Sequence, residues 1–552
     1  MTERTRPVPG DHLRRYAPDP RRGEDIEQRS PGERAPDVEP RARKLRFVGI
    51  VAGLLAAVIV YSVMPGDVAH AARLTAATAV LMAIWWMTEA VPIPATSLLP
   101  LVIFPVLSDD VSVNDVGASY GNNIIFLFMG GFMIALAMQR WNLHRRIALR
   151  TVRFMGTNPS MVIAGFMVAT GFLSMWVSNT ATAVMMLPIG VSVLLLVSSA
   201  SDELPSPPEP SASEPVGDAP PADSDSLDPR SQVVRDALSS NFGTALMLGI
   251  AYAASIGSLG TIIGTPPNTL LVGYLSEAHD INIGFGQWML VGLPLAIVFM
   301  FICWFLLTKV LFKPEITQIP GGRDLMTQEL RKLGPMSQGE LRVLVIFAVT
   351  AIAWVSVPLI WSDAPPISDA GIAMVAGILL FLLPAGHARG VRLLDWESAE
   401  ELPWGVLILF GGGLALSAQF GSSGLTEWIG QVTQGIGGLP VVLVVALFAA
   451  GILFLTELTS NTATAATFLP VAGGIAIGIG VDPMLLAIPV ALAATCAFML
   501  PVATPPNAIA YGSGYVTIPQ MVKAGVWLNI IGIFLVTGTV MTLAVAVFKI
   551  AY

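Results

Sequence analysis

Ser178-Asn179-Thr180-Ala181-Thr182-Ala183 and Ser460-Asn461-Thr462-Ala463-Thr464-Ala465 are one stretch written twice. Each lies in an apolar run and is followed by a Leu-Pro pair, Leu187-Pro188 and Leu469-Pro470. At bilayer depth, hydroxyls and amides cost on the order of a few kcal/mol each when left without a partner. Two such clusters in equivalent positions point to a polar site that both copies share.

The surroundings read as membrane. The 552-residue chain is 54% hydrophobic and 12% charged, with mean hydropathy +0.69; a soluble domain averages about 25% charged residues. Apolar runs of about 20 residues, enough to cross about 30 Å of hydrocarbon, recur along its length. The net charge of -8 is concentrated in one insert, residues 201–230, with eight acids against Arg230. Cys303 and Cys496 both lie in apolar segments, which excludes a disulfide framework or a Cys-based metal site. His12, His70, His144, His279 and His387 fall in the tail or near segment ends, which argues against a His-ligated metal centre within the membrane.

In chain order, residues 1–45 read as a disordered cytoplasmic tail, too long and hydrophilic for a secretory leader. Spans follow at 47–64, 74–90, 95–107 and 122–139. They lead into a basic loop carrying Arg140, Arg145, Arg146, Arg150 and Arg153. Residues 160–198 hold the first Ser-Asn-Thr at their middle. Two spans fit that length; a re-entrant hairpin is the better reading, because a polar turn at mid-depth is tolerated only where it lines a cavity. The insert 201–232 reads as an acidic, disordered cytoplasmic linker. A span from 233 to 262 breaks at Gly264-Thr265-Pro266-Pro267-Asn268 and resumes to about 277. Spans at 286–312, 342–360, 367–385 and 404–420 precede a second hairpin at 440–480, entering from outside. The span 484–502 breaks at Thr504-Pro505-Pro506-Asn507, and a last span at 524–548 leaves the C-terminus outside. Under this topology every basic cluster lands on the cytoplasmic side of a cell membrane.

The halves match in order. Phe128-Met129-Gly130-Gly131 pairs with Leu409-Phe410-Gly411-Gly412 at an offset of 281, Asn179 with Asn461 at 282, and Asn268 with Asn507 at 239. The linker and its flanks account for the change of offset. Between the two Ser-Asn-Thr motifs the topology flips sign. The expected fold class is therefore all-α: about 11 transmembrane helices plus two re-entrant hairpins in an inverted repeat. Residues 46–200 and 233–340 form the first copy, and 341–552 form the second. The glycine pairs read as close helix packing.

Broken helices give this site its chemistry. Helix N-termini offer free N–H groups and about half a positive charge, which suits an anion. Helix C-termini, unwound carbonyls and Ser, Thr and Asn oxygens suit a hard cation such as sodium. The motifs hold no Arg or Lys, so an anion there is neutralised by helix ends and bound cations, which is a physical basis for coupling. Two readings stand for Glu457, beside Thr456: a proton site, or an acid that is paired or water-exposed. No Ser/His/Asp, metal or nucleotide constellation lies within the spans, so neither an enzyme nor a nucleic-acid partner is expected.

The paired Ser-Asn-Thr motifs, the two Thr-Pro-Pro-Asn breaks and Trp85-Trp86-Met87-Thr88-Glu89-Ala90-Val91-Pro92 together resemble the divalent anion:sodium symporter family over roughly 46–550. The resemblance implies a homodimer in membrane lipid, with a scaffold domain and a transport domain that moves like an elevator. It implies sodium-coupled symport of dicarboxylates such as succinate, malate and fumarate. Citrate or sulfate as substrate, sodium-independent exchange, and proton coupling stay open as alternatives. Carried over by motif, one sodium site uses Ser174, Ser178, Asn179 and the backbone of Gly264. The other uses Thr456, Thr459, Asn461 and the backbone of Ala503. The carboxylate substrate would meet Ser178, Asn179, Thr180, Thr265, Ser460, Asn461, Thr462, Thr504 and Pro505. Thr265 stands where the family commonly has serine, and its methyl narrows the pocket.

Overall fold

The computed structural model describes residues 40–201 and 240–551, apart from 317, 320–321, 362–364, 387–388 and 435–437. The expected disordered tail before Pro40 and nearly all of the acidic linker lie outside the described residues, as does His387. The first helix begins at Pro40, so 40–45 is helical and the tail as drawn from sequence is too long at its end. Among the described residues every regular element is helical; strand pairing is limited to one antiparallel bridge, Pro384 with Arg392. In hydrocarbon this is the expected outcome, because a helix satisfies its own backbone.

The first half runs α1 (Pro40–Val63), α2 (His70–Thr88), the short α3 (Pro100–Leu107), α4 (Asn123–Arg140) and α5 (Leu143–Phe154). It continues with α6 (Pro159–Ser174), α7 (Asn179–Ser201), α8 (Asn241–Ser258), α9 (Pro266–His279) and α10 (Phe285–Phe305). The second half has α11 (Gln338–Ile360), α12 (Asp369–Leu382), α13 (Trp404–Ser422) and α14 (Leu425–Thr433). Then come α15 (Val441–Thr456), α16 (Asn461–Gly478), α17 (Met484–Thr495), α18 (Pro505–Gly512) and α19 (Ile518–Thr539). Among the described residues, seven helical stretches, Phe285–Leu311 and Ile518–Phe548 included, are long and apolar enough to cross a membrane.

Neither α6 nor α15 is long enough by itself to span the hydrocarbon core. Each has 16 residues, about 24 Å of helix at 1.5 Å per residue, short of the roughly 30 Å core. The chain turns back at 175–178 and 457–460. Ser178 caps α7 by accepting from Ala181 N at 3.2 Å. α8 is the centre of the molecule, buried from Phe242 to Ser258, whereas α1 exposes Leu54, Val58 and Ile59 along one side. α6 crosses α8 where Gly171 meets Gly257, and a Cβ on Gly257 would run into the Gly171 backbone.

Two expectations are corrected. First, α8 and α17 stop at Ser258 and Thr495, several residues before the Pro-Pro pairs, leaving 259–265 and 496–504 non-helical. A proline disfavours the α conformation in the residue before it, and Thr265 and Thr504 are extended (φ -146° and -142°). The freed carbonyls are taken up by the two asparagines of the breaks. Asn268 Nδ2 donates to Thr261 O at 2.9 Å, and Asn507 Nδ2 donates to Ala497 O and Leu500 O at 3.1 Å each. Second, the basic loop after Arg140 is the amphipathic helix α5. It buries Leu143, Ala148, Leu149 and Val152 while leaving Arg150 and Arg153 exposed. Arg146 on its inner face is buried and ion-paired with Glu340, and it also donates to Gly334 O at 3.0 Å. α5 packs on α6, the first arm of its hairpin, whereas α14 packs on α16, the second arm of the other.

Candidate functional site

The two hairpin tips open onto one cavity of about 1050 Å³. Ser178, Asn179 and Thr180 line it from the first tip, and Thr459, Ser460, Asn461 and Thr462 from the second. The breaks complete the polar lining with Gly264, Thr265 and Pro266, and with Ala503, Thr504, Pro505 and Pro506. The far wall is α4, through Phe128, Phe132, Ala135 and Leu136. The cavity reaches Leu45, Glu89, Gln139 and Glu401, next to Lys44 and Arg140, and so opens toward the basic face of the molecule. Among the described residues that line it there is no Lys or Arg; the charged ones are Glu89 and Glu401.

Four helices begin at this cavity: α7 at Asn179, α16 at Asn461, α9 at Pro266 and α18 at Pro505. Their N-terminal dipole ends supply the positive potential that basic side chains would supply elsewhere. At α9 and α18 the first two residues are prolines, so these ends offer Thr265 and Thr504 hydroxyls in place of N–H groups. Thr504 Oγ1 accepts from Asn507 N at 3.3 Å, while Thr265 Oγ1 lies 3.5 Å from Thr495 Oγ1, across the two halves.

Behind each tip sits an oxygen cluster. Ser174 Oγ is 2.5 Å from Asn179 Oδ1 and 2.6 Å from Ala254 O. Thr456 Oγ1 is 2.7 Å from Asn461 Oδ1 and 3.1 Å from Ala494 O. In each trio one hydroxyl hydrogen faces two acceptors, so an acceptor oxygen is left over. Asn179 Nδ2 donates to Ser258 Oγ at 3.3 Å, which turns Oδ1 toward the cluster. Hydroxyl and carbonyl oxygens at the C-terminal ends of α6, α8, α15 and α17, with the amide oxygens of Asn179 and Asn461 at the starts of α7 and α16, are the donor set of a hard cation, and a sodium ion carried as cargo fits them.

The structure thus brings together both tips and both breaks. Ser174 and Thr456 are fully buried and do not line the cavity. Thr459 does line it, but its hydroxyl donates to Leu455 O at 2.9 Å and lies 2.7 Å from Thr464 Oγ1. Reading the sequence missed the carbonyls of Ala254 and Ala494, which carry no side-chain signal. It also missed the α4 wall and the rim residues Glu89, Gln139 and Glu401. Glu457 is buried and accepts five hydrogen bonds, from Phe498 N (2.7 Å), Met499 N (2.9 and 3.1 Å), Leu500 N (3.1 Å) and Asn529 Nδ2 (2.7 Å). Glu457 is thus paired and not water-exposed.

Broken helices in matching places around a central polar cavity are the architecture of a multi-pass membrane transporter. The YdaH transporter of Alcanivorax borkumensis shares this fold, with a TM-score of 0.52 at 12% identity over 91% of this chain and 98% of that one. The chain belongs to the sodium:sulfate symporter family, whose transmembrane region matches residues 44–549. It is 42% identical over 499 residues to the sodium-dependent dicarboxylate transporter SdcS of Staphylococcus saprophyticus, covering 89% of this chain and 90% of the relative. It is 40% identical over 496 residues to the transporter of the same description from Staphylococcus aureus strain USA300, at the same coverage.

Proposed function

We propose that this protein is a secondary transporter that couples uptake of a dicarboxylate, such as succinate, malate or fumarate, to sodium ions. The observation that carries this reading is the pair of mirrored oxygen clusters behind a single cavity that has four helix N-termini and no basic side chain. A carboxylate entering such a cavity meets helix dipoles and the cations held by the clusters. Cation and anion therefore stabilise each other, and each raises the other's affinity by the same factor. The two relatives described as sodium-dependent dicarboxylate transporters support the same choice of ion and substrate.

In this reading Ser174, Asn179 and the 264 backbone hold one sodium ion, and Thr456, Asn461 and the 503 backbone hold the other. Asn179, Thr180, Thr265, Asn461, Thr462 and Thr504 meet the carboxylates. The hairpins with α8–α10 and α17–α19 form the moving transport domain, and α1–α4 with α11–α13 form the scaffold of a homodimer. The basic face is cytoplasmic, so the cavity opens inward.

Radiolabelled succinate uptake into proteoliposomes tests the proposal. Replacing external sodium with choline should reduce uptake by at least about tenfold. Undiminished uptake without sodium would overturn it. Competition by malate and fumarate, set against citrate and sulfate, reads the substrate class.

A further inference from the structure

The amphipathic helix α5 lies between α4 and hairpin arm α6 in the chain. It carries four arginines, and the protein fold uses two of them. Arg145 meets Glu329 at 3.2 Å, and Arg146 is buried against Glu340. Arg150 and Arg153, nearer the helix end, are exposed and have no ion-pair or hydrogen-bond partner among the described residues. Beside them Phe154 is 88% exposed. Spacing of i, i+3 and i+4 puts these three on one side of the helix. Arg153 complements the negative end of α5, which explains neither Arg150 nor an aromatic ring left outside. The depth of this patch can be read from its neighbours. α6 begins at Pro159, five residues after Phe154. There Ser160 O accepts from Trp304 Nε1 at 2.8 Å, and Ser160 Oγ accepts from Lys309 Nζ at 3.1 Å. Trp304 and Lys309 close an apolar span whose Phe301 and Phe305 are exposed. An indole and an ammonium at the end of such a span mark the layer of lipid headgroups.

We infer that Arg150, Arg153 and Phe154 form a binding surface for anionic phospholipid, and that this contact sets the rate of transport. The guanidinium groups match a phosphodiester in charge and in hydrogen-bond geometry. The phenyl ring has an apolar place to go just below the headgroups. A basic cluster at this depth attracts anionic lipid over zwitterionic lipid. The effect on rate rests on the transport reading above, in which α4 belongs to the scaffold, α6 to the moving domain, and the basic face is cytoplasmic. α5 is then the strap between still and moving parts, and lipid held at its end fixes the point from which the first hairpin travels.

Two measurements on the full chain test this. The first is native mass spectrometry of purified protein offered phosphatidylglycerol and phosphatidylcholine together. Wild type should retain phosphatidylglycerol selectively, and Arg150→Gln combined with Arg153→Gln should lose that selectivity. Retention is read without transport, so it stands or falls apart from the sodium-coupled reading; uptake indifferent to sodium would defeat that reading and leave this one intact. The second is succinate uptake in phosphatidylcholine proteoliposomes with rising phosphatidylglycerol. Wild-type uptake should rise with the anionic fraction. The double Gln variant should need at least about fivefold more phosphatidylglycerol for the same rate, while Arg150→Lys combined with Arg153→Lys should stay close to wild type. Equal retention of both lipids by wild type, or equal lipid dependence in wild type and the double Gln variant, overturns the inference. So does rescue by soluble inorganic phosphate in place of the lipid. If uptake ignores phosphatidylglycerol and exchanging the eight acids of 201–230 for their amides reproduces the double Gln variant, the arginines serve the linker and the inference is wrong.

Discussion

Asn179 and Asn461 do two jobs each. Their Oδ1 atoms complete the oxygen trios with Ser174 and Thr456, and both residues line the shared cavity. Alanine removes the amide and leaves the trio one oxygen short, so Asn179→Ala and Asn461→Ala should each nearly abolish succinate uptake with expression intact. Uptake assays normalised to membrane protein check this, and wild-type rates in both would reduce the motifs to packing. The repeated motifs themselves were legible because uncharged polar residues in an apolar run stand out. Glu457 was visible, but its partners were not: they are backbone N–H groups 41 to 43 residues further along the chain, with the Asn529 amide 72 residues along. His144 gives a residue-scale pH prediction. Burial, more than the neighbouring Arg145, holds its imidazole below the ordinary histidine range, partly offset by its bond to Met138 O. A lowered histidine contributes stability above its unfolded pKa, about 6.5, that is lost as pH falls below it. Thermal unfolding between pH 7 and 5 should therefore fall less steeply in His144→Gln than in wild type.

At the scale of elements, close approach decides the architecture. Gly257 and Gly171 let α8 and α6 touch backbone to backbone, which holds the C-terminal end of α8 beside Ser174. Gly257→Val forces these helices apart. It should cost about 1–3 kcal/mol, read as a lower unfolding temperature in detergent, and it should also reduce transport by displacing Ala254 O. Gly131 faces Ile263, so one residue of the repeated glycine pairs packs α4 against an unwound segment. The helix breaks were readable from Pro-Pro, but their full extent was not. Where a helix gives up before a proline depends on whether its freed carbonyls find partners, and Asn268 and Asn507 supply them from 7 to 10 residues downstream. α5 escaped notice because alternating Arg and apolar residues read first as charge. Its amphipathic spacing gains meaning only with α6 and Glu340 to pack against.

For the whole molecule, the cavity's opening is the testable property. Cys303 and Cys496 are both buried, so a thiol placed at Gln139 reports on the rim without background. Gln139→Cys should react with a membrane-impermeant maleimide from the basic face only, and sodium with succinate should slow that reaction. Labelling from the opposite face alone would mean the resting state is open the other way. Tight packing of α9 against α4 and α13, where Gly273 meets Ile124 and Leu414, closes the side away from the basic rim.

Membrane residence, the recurrence of the polar motifs and their identity all follow from the sequence alone. Each is a local matter of hydropathy, charge placement or recurrence. That both tips and both breaks face one cavity, that Ala254 and Ala494 lend carbonyls to the oxygen trios behind the tips, and that Glu457 meets the backbone N–H groups of the unwound segment emerge from the tertiary structure. Backbone oxygens and N–H groups are the same in every residue, so only their arrangement in space can distinguish the few that make a site.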